Sequence, residues 1–169
     1  MNEEVLLFEL GQVGGESIGT FALSVADVYQ VIEPTRLSTV PMSPDVVEGI
    51  MSFSGRVVTV VDPSLVLGYD AQSGPVRQVV IVRDGVRAFG NLGLKVSRIR
   101  QIVKTSGTAE VDAAKGEHVR SVIKLGKRLV HVIDVPAFMD GLGKEFGTDG
   151  RMASAPGDPS EPSREGVSE

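Results

Sequence analysis

Few residues in this chain have types and spacings that could do chemistry. Gly15-Glu16-Ser17-Ile18-Gly19 spells G-x-S-x-G. That pattern makes a nucleophile where a strand turns sharply into a helix and lifts the serine to an oxyanion hole. Here the alternating residues Phe21, Leu23 and Val25 follow, which is the pattern of a strand. The segment therefore reads as a hairpin loop, against the enzyme reading of an esterase using Ser17. His118 and His131 are the two histidines and there is no cysteine, so neither a metal cluster nor thiolate chemistry has its ligands. His131 stands between Val130 and Val132 and points to the opposite side of its strand, as a solvent-facing or hydrogen-bonded side chain. Gly126-Lys127 has no glycine five positions upstream, which excludes a phosphate-cradling loop, and no G-x-G-x-x-G occurs. Asp62 and Asp134 could form a carboxylate pair for acid–base work. Each stands just before a helix-start signal, Pro63 or Val135-Pro136, so the alternative is a capping role for both. Arg98 and Arg100 share one side of their segment, either as a solvated face or as an ion pair across an interface.

The elements that must position these residues are short. Leu6–Leu10 and Phe21–Val25 alternate and make a hairpin across a glycine-rich connection at 11–19. A turn and then a strand are expected over 27–32, and a loop over 34–40. Ser43-Pro44 reads as the start of a helix that Gly49 ends. Gly55 turns the chain into the strand Arg56–Val61, and Asp62-Pro63 starts a helix that stops at Gly68. Residues 70–75 read as a linker. The strands expected next are Gln78–Arg83, a second after a turn at Asp84-Gly85 that runs to Val96, and a pair across Gly126. Residues 105–116 are small and polar, hence a loop, and Val135–Leu142 is the last helix.

Everything is organised around a stretch that occurs twice, Val46–Gly68 and Val119–Gly143. Val25, Val28 and Val31 recur as Val96, Ile99 and Ile102, 71 positions on; Gly55 recurs as Gly126 at the same shift, and Asp62 as Asp134 one further. A period of that length is too long for a solenoid and implies two similar small β units packed together. Short strands with few helices place the chain among all-β barrels or sandwiches.

The bulk composition narrows the function classes. Of the 23 residues in 147–169, 11 are Gly, Pro or Ser, and the segment carries a net charge of -3. It reads as a disordered tail. The rest is left at -2 of the total -5, which gives no basic face for nucleic acid. No stretch reaches the ~18 apolar residues of a membrane span, so membrane insertion is not expected and a cytoplasmic location is. With no tryptophan and 5% aromatics, the core is expected to be Val, Ile and Leu.

Three segments carry a resemblance: FALSVADVYQVI at 21–32, VPMSPDVVEGIMSFSGRVVTVVD at 40–62 and IKLGKRLVHVID at 123–134. They are similar to the CheW-like family, the adaptor domains of bacterial chemotaxis signalling, over about Leu6 to Leu142. The resemblance implies a mainly β domain at 1–146, made of two five-stranded β-barrel subdomains at about 20–75 and 76–142, with strand 5–10 completing the pair. It implies a non-catalytic, cofactor-free scaffold joining the chemoreceptor cytoplasmic tip to the regulatory domain of a CheA-type histidine kinase, in the cytoplasm at membrane-associated receptor arrays. Positions matching the family's receptor groove are Val28, Gln30, Ser54 and Val79. Candidate kinase contacts are Arg36, Leu37 and Val40; Leu37 and Val40 have no evident core role, unless they cover the end of a barrel. The family commonly has an acid at Gln30, an Asn-x-Arg-Gly turn where this chain has Ser52-Phe53-Ser54-Gly55, and a proline at Thr59. A divergent adaptor for chemotaxis or chemosensory-like motility is therefore expected. The alternative is a member that has lost receptor coupling and binds another cytosolic signalling partner.

Overall fold

The computed structural model of the protein describes residues 2–11, 17–83, 91–106, 109–111 and 116–146. The expected tail, the Asp84-Gly85 turn and the first half of the G-x-S-x-G segment lie outside them. In chain order the described elements are β1 (Glu4–Gly11), β2 (Ser17–Ser24), a 3-10 turn (Val25–Asp27), β3 (Val28–Ile32), β4 (Val47–Phe53), β5 (Arg56–Val61) and α1 (Pro63–Val66). Then follow β6 (Gln78–Val82), β7 (Leu92–Val96), β8 (Arg98–Lys104), β9 (Ala109–Glu110), β10 (Val119–Leu125), β11 (Arg128–Ile133) and α2 (Val135–Glu145).

The strands form two sheets, β8-β1-β2-β11-β10-β9 and β3-β6-β7-β5-β4. Neither closes into the expected barrel. Closure requires a hydrogen-bonded ladder between the two edge strands, and here β3 and β4 remain opposite edges of one sheet, as β8 and β9 do of the other. The edge at β4 receives a single bridge, Ser38 to Ile50, in place of a ladder.

The duplication is realised by exchange. Shifted by about 71 residues, β3, β4 and β5 fall on β8, β10 and β11, and the strand order β3-β6-β7-β5-β4 maps onto β8-β1-β2-β11-β10. Each sheet thus takes its opening hairpin from one repeat and its other strands from the other repeat. The seams are the parallel pairs β11–β2 and β5–β7 and the antiparallel pairs β1–β8 and β3–β6. The sheets consequently cut across the subdomains expected at about 20–75 and 76–142: β6 and β7 join β3–β5, while β1 and β2 join β8–β11.

This exchange explains the valine-rich strands. A sheet covered on both faces reads as a continuous apolar run rather than an alternating one. One core lies between the sheets, with Phe8, Phe21, Leu23, Leu94, Ile133, Phe138 and Leu142 among its members. Its largest buried side chains are phenylalanines, so the expected aliphatic core has an aromatic centre; Phe8 and Phe21 stack at 6.4 Å between centroids. Each sheet also encloses a smaller cluster of its own. These are Val5, Leu7, Ala22, Ile123, Val130 and Val132 in the six-stranded sheet, and Met51, Val58, Val60, Val79 and Ile81 in the five-stranded one. Burying each valine, leucine, isoleucine or methionine among them is worth about 1.5–3 kcal/mol.

Two local expectations are corrected. No helix starts at Ser43-Pro44. The Ser43 hydroxyl donates back to the Val40 carbonyl at 2.8 Å, Val47 N–H closes a turn on Pro44 O, and the chain enters β4. The apolar residues that follow are β-branched and find a ladder partner in β5, which outweighs the local cap signal. The loop at 105–116 contains β9, which pairs with β10.

Residues 70–75 are more than a linker. Gln72 is buried and donates from Nε2 to both Asp62 Oδ1 and the Lys95 carbonyl at 2.8 Å, while its Oε1 accepts from Gly11 N–H of β1 at 3.1 Å. Lys95, 3% exposed, donates to Glu48 at 3.3 Å, Gln72 O at 3.3 Å and Gly74 O at 3.0 Å. A polar network therefore ties β1 of one sheet to β7 of the other. Its buried charges are tolerable because they are hydrogen-bonded.

Candidate interaction surfaces

The residues that could do chemistry turn out to hold the fold. Ser17 opens β2, not a helix, and its hydroxyl donates to Gly19 O at 3.2 Å. Asp62 and Asp134 cap α1 and α2, accepting from Ser64 N–H and Ala137 N–H, both at 3.0 Å. Asp62 does more. It is fully buried and also accepts from Ser64 Oγ at 2.7 Å and from Gln72. His131 is half-buried and lies against Phe21 with ring centroids 5.8 Å apart, and its Nδ1 is buried without a hydrogen-bond partner, so that nitrogen is not satisfied as expected. His118 packs on α2 where Gly141 leaves room for it. Among the described residues no group of three or more His, Asp or Glu could hold a metal ion, and no helix is long and apolar enough to cross a membrane.

Two charged clusters shape the surface. Arg100 is ion-paired with Glu9 of the neighbouring strand β1 while staying exposed, so it belongs to a solvated face that also carries an ion pair within the sheet. Burial pushes the Glu9 carboxyl up, but hydrogen bonds from Arg100 and Ser17 and the charges of Arg100 and Arg128 outweigh it and hold it below its ordinary value. Arg120 pairs with Glu3. Beside them burial pushes the Asp27 carboxyl up; the Arg120 charge opposes this, and Glu3 and Asp134 add to it.

The candidate contact residues fall in different places. Val28 and Gln30 lie on the edge strand β3, Val28 half-buried against the central core and Gln30 exposed. Val79 is in the neighbouring strand β6, fully buried inside the five-stranded sheet, so its side chain contributes nothing to the surface. Ser54 sits at the tip of the β4–β5 hairpin, at the far edge of the same sheet in hydrogen-bonding order, with φ of 50°. The loop after β3 carries an exposed Arg36 and a half-buried Val40, while Leu37 packs against the sheet's own core. Leu37 is therefore a cover for that end of the sheet.

Sequence reasoning did not single out the exposed apolar side chains, yet these follow the duplication. Val31 and Ile102 are 36% and 56% exposed on the edge strands β3 and β8, and Val57 and Leu129 are 42% and 43% exposed on β5 and β11. Tyr29 is also exposed, with Arg83 over its ring at 5.5 Å. The available signal was the 71-residue shift, which relates Val31 to Ile102.

Two doubly covered sheets whose polar groups serve capping and bracing, with apolar side chains left outside at matching positions, define an interaction module. The CheW-like domain model matches residues 4–142, and the chain belongs to that family of chemotaxis scaffold and adaptor domains. It is similar to the chemotaxis protein CheW of Thermotoga maritima, 24% identical over 140 residues covering 82% of this chain and 89% of the relative. The crystal structure of the scaffolding protein TtCheW from Thermoanaerobacter tengcongensis shares the fold, with a TM-score of 0.63 at 17% identity over 79% of this chain and 89% of that one.

Proposed function

We propose that this chain is a non-catalytic, cytoplasmic scaffold that couples the chemoreceptor cytoplasmic tip to the regulatory domain of a CheA-type histidine kinase. Membership of the CheW-like family over residues 4–142 carries this reading. The exposed edge at β3 supports it: Tyr29, Gln30 and Val31 face outward on a strand with one free side, a surface suited to recognition by another protein. The receptor-facing residues are Val28, Gln30 and Ser54, and the kinase-facing ones are Arg36 and Val40. Gln30 in place of an acid and Ser54 in place of an arginine remove a carboxylate and a planar fork of donors. The chain is thereby matched to a receptor that lacks the complementary charges, in a pathway for chemotaxis or chemosensory-like motility. Co-purification from the native cell tests this. Recovery of a CheA-type kinase together with a receptor is the expected result. Recovery of neither would sink the proposal.

A further inference from the structure

The connection between β3 and β4 carries the one methionine that, among the described residues, stands wholly in solvent. Ser43 N–H closes a turn on Val40 O at 3.4 Å, and the Ser43 hydroxyl donates to the same carbonyl at 2.8 Å. Pro41 and Met42 are the central residues of that turn. Proline suits the first place, but Met42 has φ of 59°, the left-handed region that glycine and asparagine occupy at low cost. The Met42 side chain is fully exposed. It is therefore disfavoured twice, by its backbone and by its solvated apolar surface, and it adds no packing to the fold. The other described methionines differ. Met51 is 6% exposed inside the cluster of the five-stranded sheet, and Met139 is half-buried against the central core. The chain has no cysteine, so thioethers are its softest nucleophiles.

We propose that Met42 is a reversible oxidation site, through which a peroxide alters the surface that this connection presents. The sulfur lone pair attacks one peroxide oxygen. The S–O bond forms as the O–O bond breaks, and the released hydroxide takes a proton and leaves as water. Sulfur is oxidised by two electrons and the peroxide is reduced by two. A methionine sulfoxide reductase reverses the step: two thiols supply the electrons and close to a disulfide, and the oxygen leaves as water. The product replaces a flexible apolar tip by a polar, chiral one. Because that tip packs on nothing, the fold does not register the change. The surface shared with Arg36 and Val40, on the same connection, does. This consequence rests on the functional reading above, in which those two residues face the kinase. The sulfoxide then weakens kinase binding, because a polar group stands where an apolar one met the partner.

Graded treatment of the full-length chain with hydrogen peroxide, followed by peptide mapping by mass spectrometry, tests the site. Met42 is expected to oxidise at least tenfold faster than Met51 and Met139, with the thermal midpoint unchanged, and the reductase is expected to restore the thioether. Comparable rates at the three methionines, a lowered midpoint, or a sulfoxide that the reductase leaves in place would overturn the proposal. Met42→Asn is expected to raise the midpoint by about 2 °C; a fall would show that the fold needs the side chain and would overturn it as well. Binding of the regulatory domain of a CheA-type kinase tests the consequence. Peroxide is expected to weaken binding by the parent at least threefold and to leave Met42→Leu, which keeps the apolar bulk without the sulfur, unaffected. Unchanged binding by the Met42-oxidised chain, or an equal loss in the leucine variant, would overturn it. Absence of binding by the untreated chain would instead defeat the functional reading, and the peptide map still decides the modification site.

Discussion

Gln72 engages both oxygens of Asp62: its backbone N–H donates to Oδ2 at 2.7 Å and its Nε2 to Oδ1 at 2.8 Å. Among the described residues, the side chain of Asp134, the duplicate of Asp62, accepts from one donor, Ala137 N–H. The same sequence signal therefore marks a buried bracing carboxylate in one repeat and a helix cap in the other. Removing Asp62 leaves buried donors on Ser64 and Gln72 unmet, each costing about 1–3 kcal/mol. Asp62→Ala is expected to cost about 3 kcal/mol or more and Asp134→Ala about 1 kcal/mol, read from urea midpoints. Equal losses would refute the distinction.

The β4–β5 hairpin turns through Ser54 and Gly55, with φ of 50° and 75°. Positive φ at both central residues is the geometry that favours Asn-Gly. Ser54→Asn is expected to stabilise the protein by about 0.5 kcal/mol. Gly55→Ala should destabilise it by about 1 kcal/mol through backbone strain alone, since nothing lies within 4 Å of the added carbon. Thermal unfolding of the two variants reports both.

Asp27 and Glu9 predict opposite pH responses. The Asp27 carboxyl is raised above 3.8 by burial, so its ionised form opposes folding at neutral pH, and the penalty fades as pH falls through the raised value. Asp27→Asn is therefore expected to stabilise at pH 7, with the gain shrinking in acid. Glu9 is held below 4.5, so it supports folding above that value and loses this support as pH falls through its lowered value. Glu9→Gln should destabilise at pH 7, with the deficit vanishing in acid. Denaturant titrations from pH 3 to pH 7 give both curves, and parallel curves for the variants and the parent would contradict the assignment.

Gly49 is a position of close approach inside β4. An added Cβ would lie 2.6 Å from the Ser38 carbonyl, a backbone atom that cannot swing aside, and 2.8 Å from Leu37. Gly49→Ala is expected to cost about 1–3 kcal/mol and to break the Ser38–Ile50 bridge, seen as faster hydrogen exchange at Ser38 and Ile50 amides.

Much of the fold was legible because its signals are local. The Gly55 and Gly126 turns, the two aspartate caps and the turn and strand over 27–32 each depend on residues within a few positions. The Ser43-Pro44 reading failed because a cap signal says nothing about whether the next residues will find a ladder partner, and Val47–Phe53 found β5. Of the candidate contacts, the exposure of Gln30 suits its strand position, while the burial of Val79 and the covering role of Leu37 depended on neighbours distant in sequence. Lys95 in the run Leu92–Val96 was the one visible sign of the buried network.

The amino-acid sequence by itself determined that two matched β units exist and where most of their strands turn. Only the tertiary structure decided which hairpin completes which sheet, and that Asp62 is a hub where Asp134 is a cap. The reason is physical. Alternation and turn residues specify a strand and its faces, and each repeat offers the same pattern, so packing of the whole chain alone selects between pairing within a repeat and exchange between repeats.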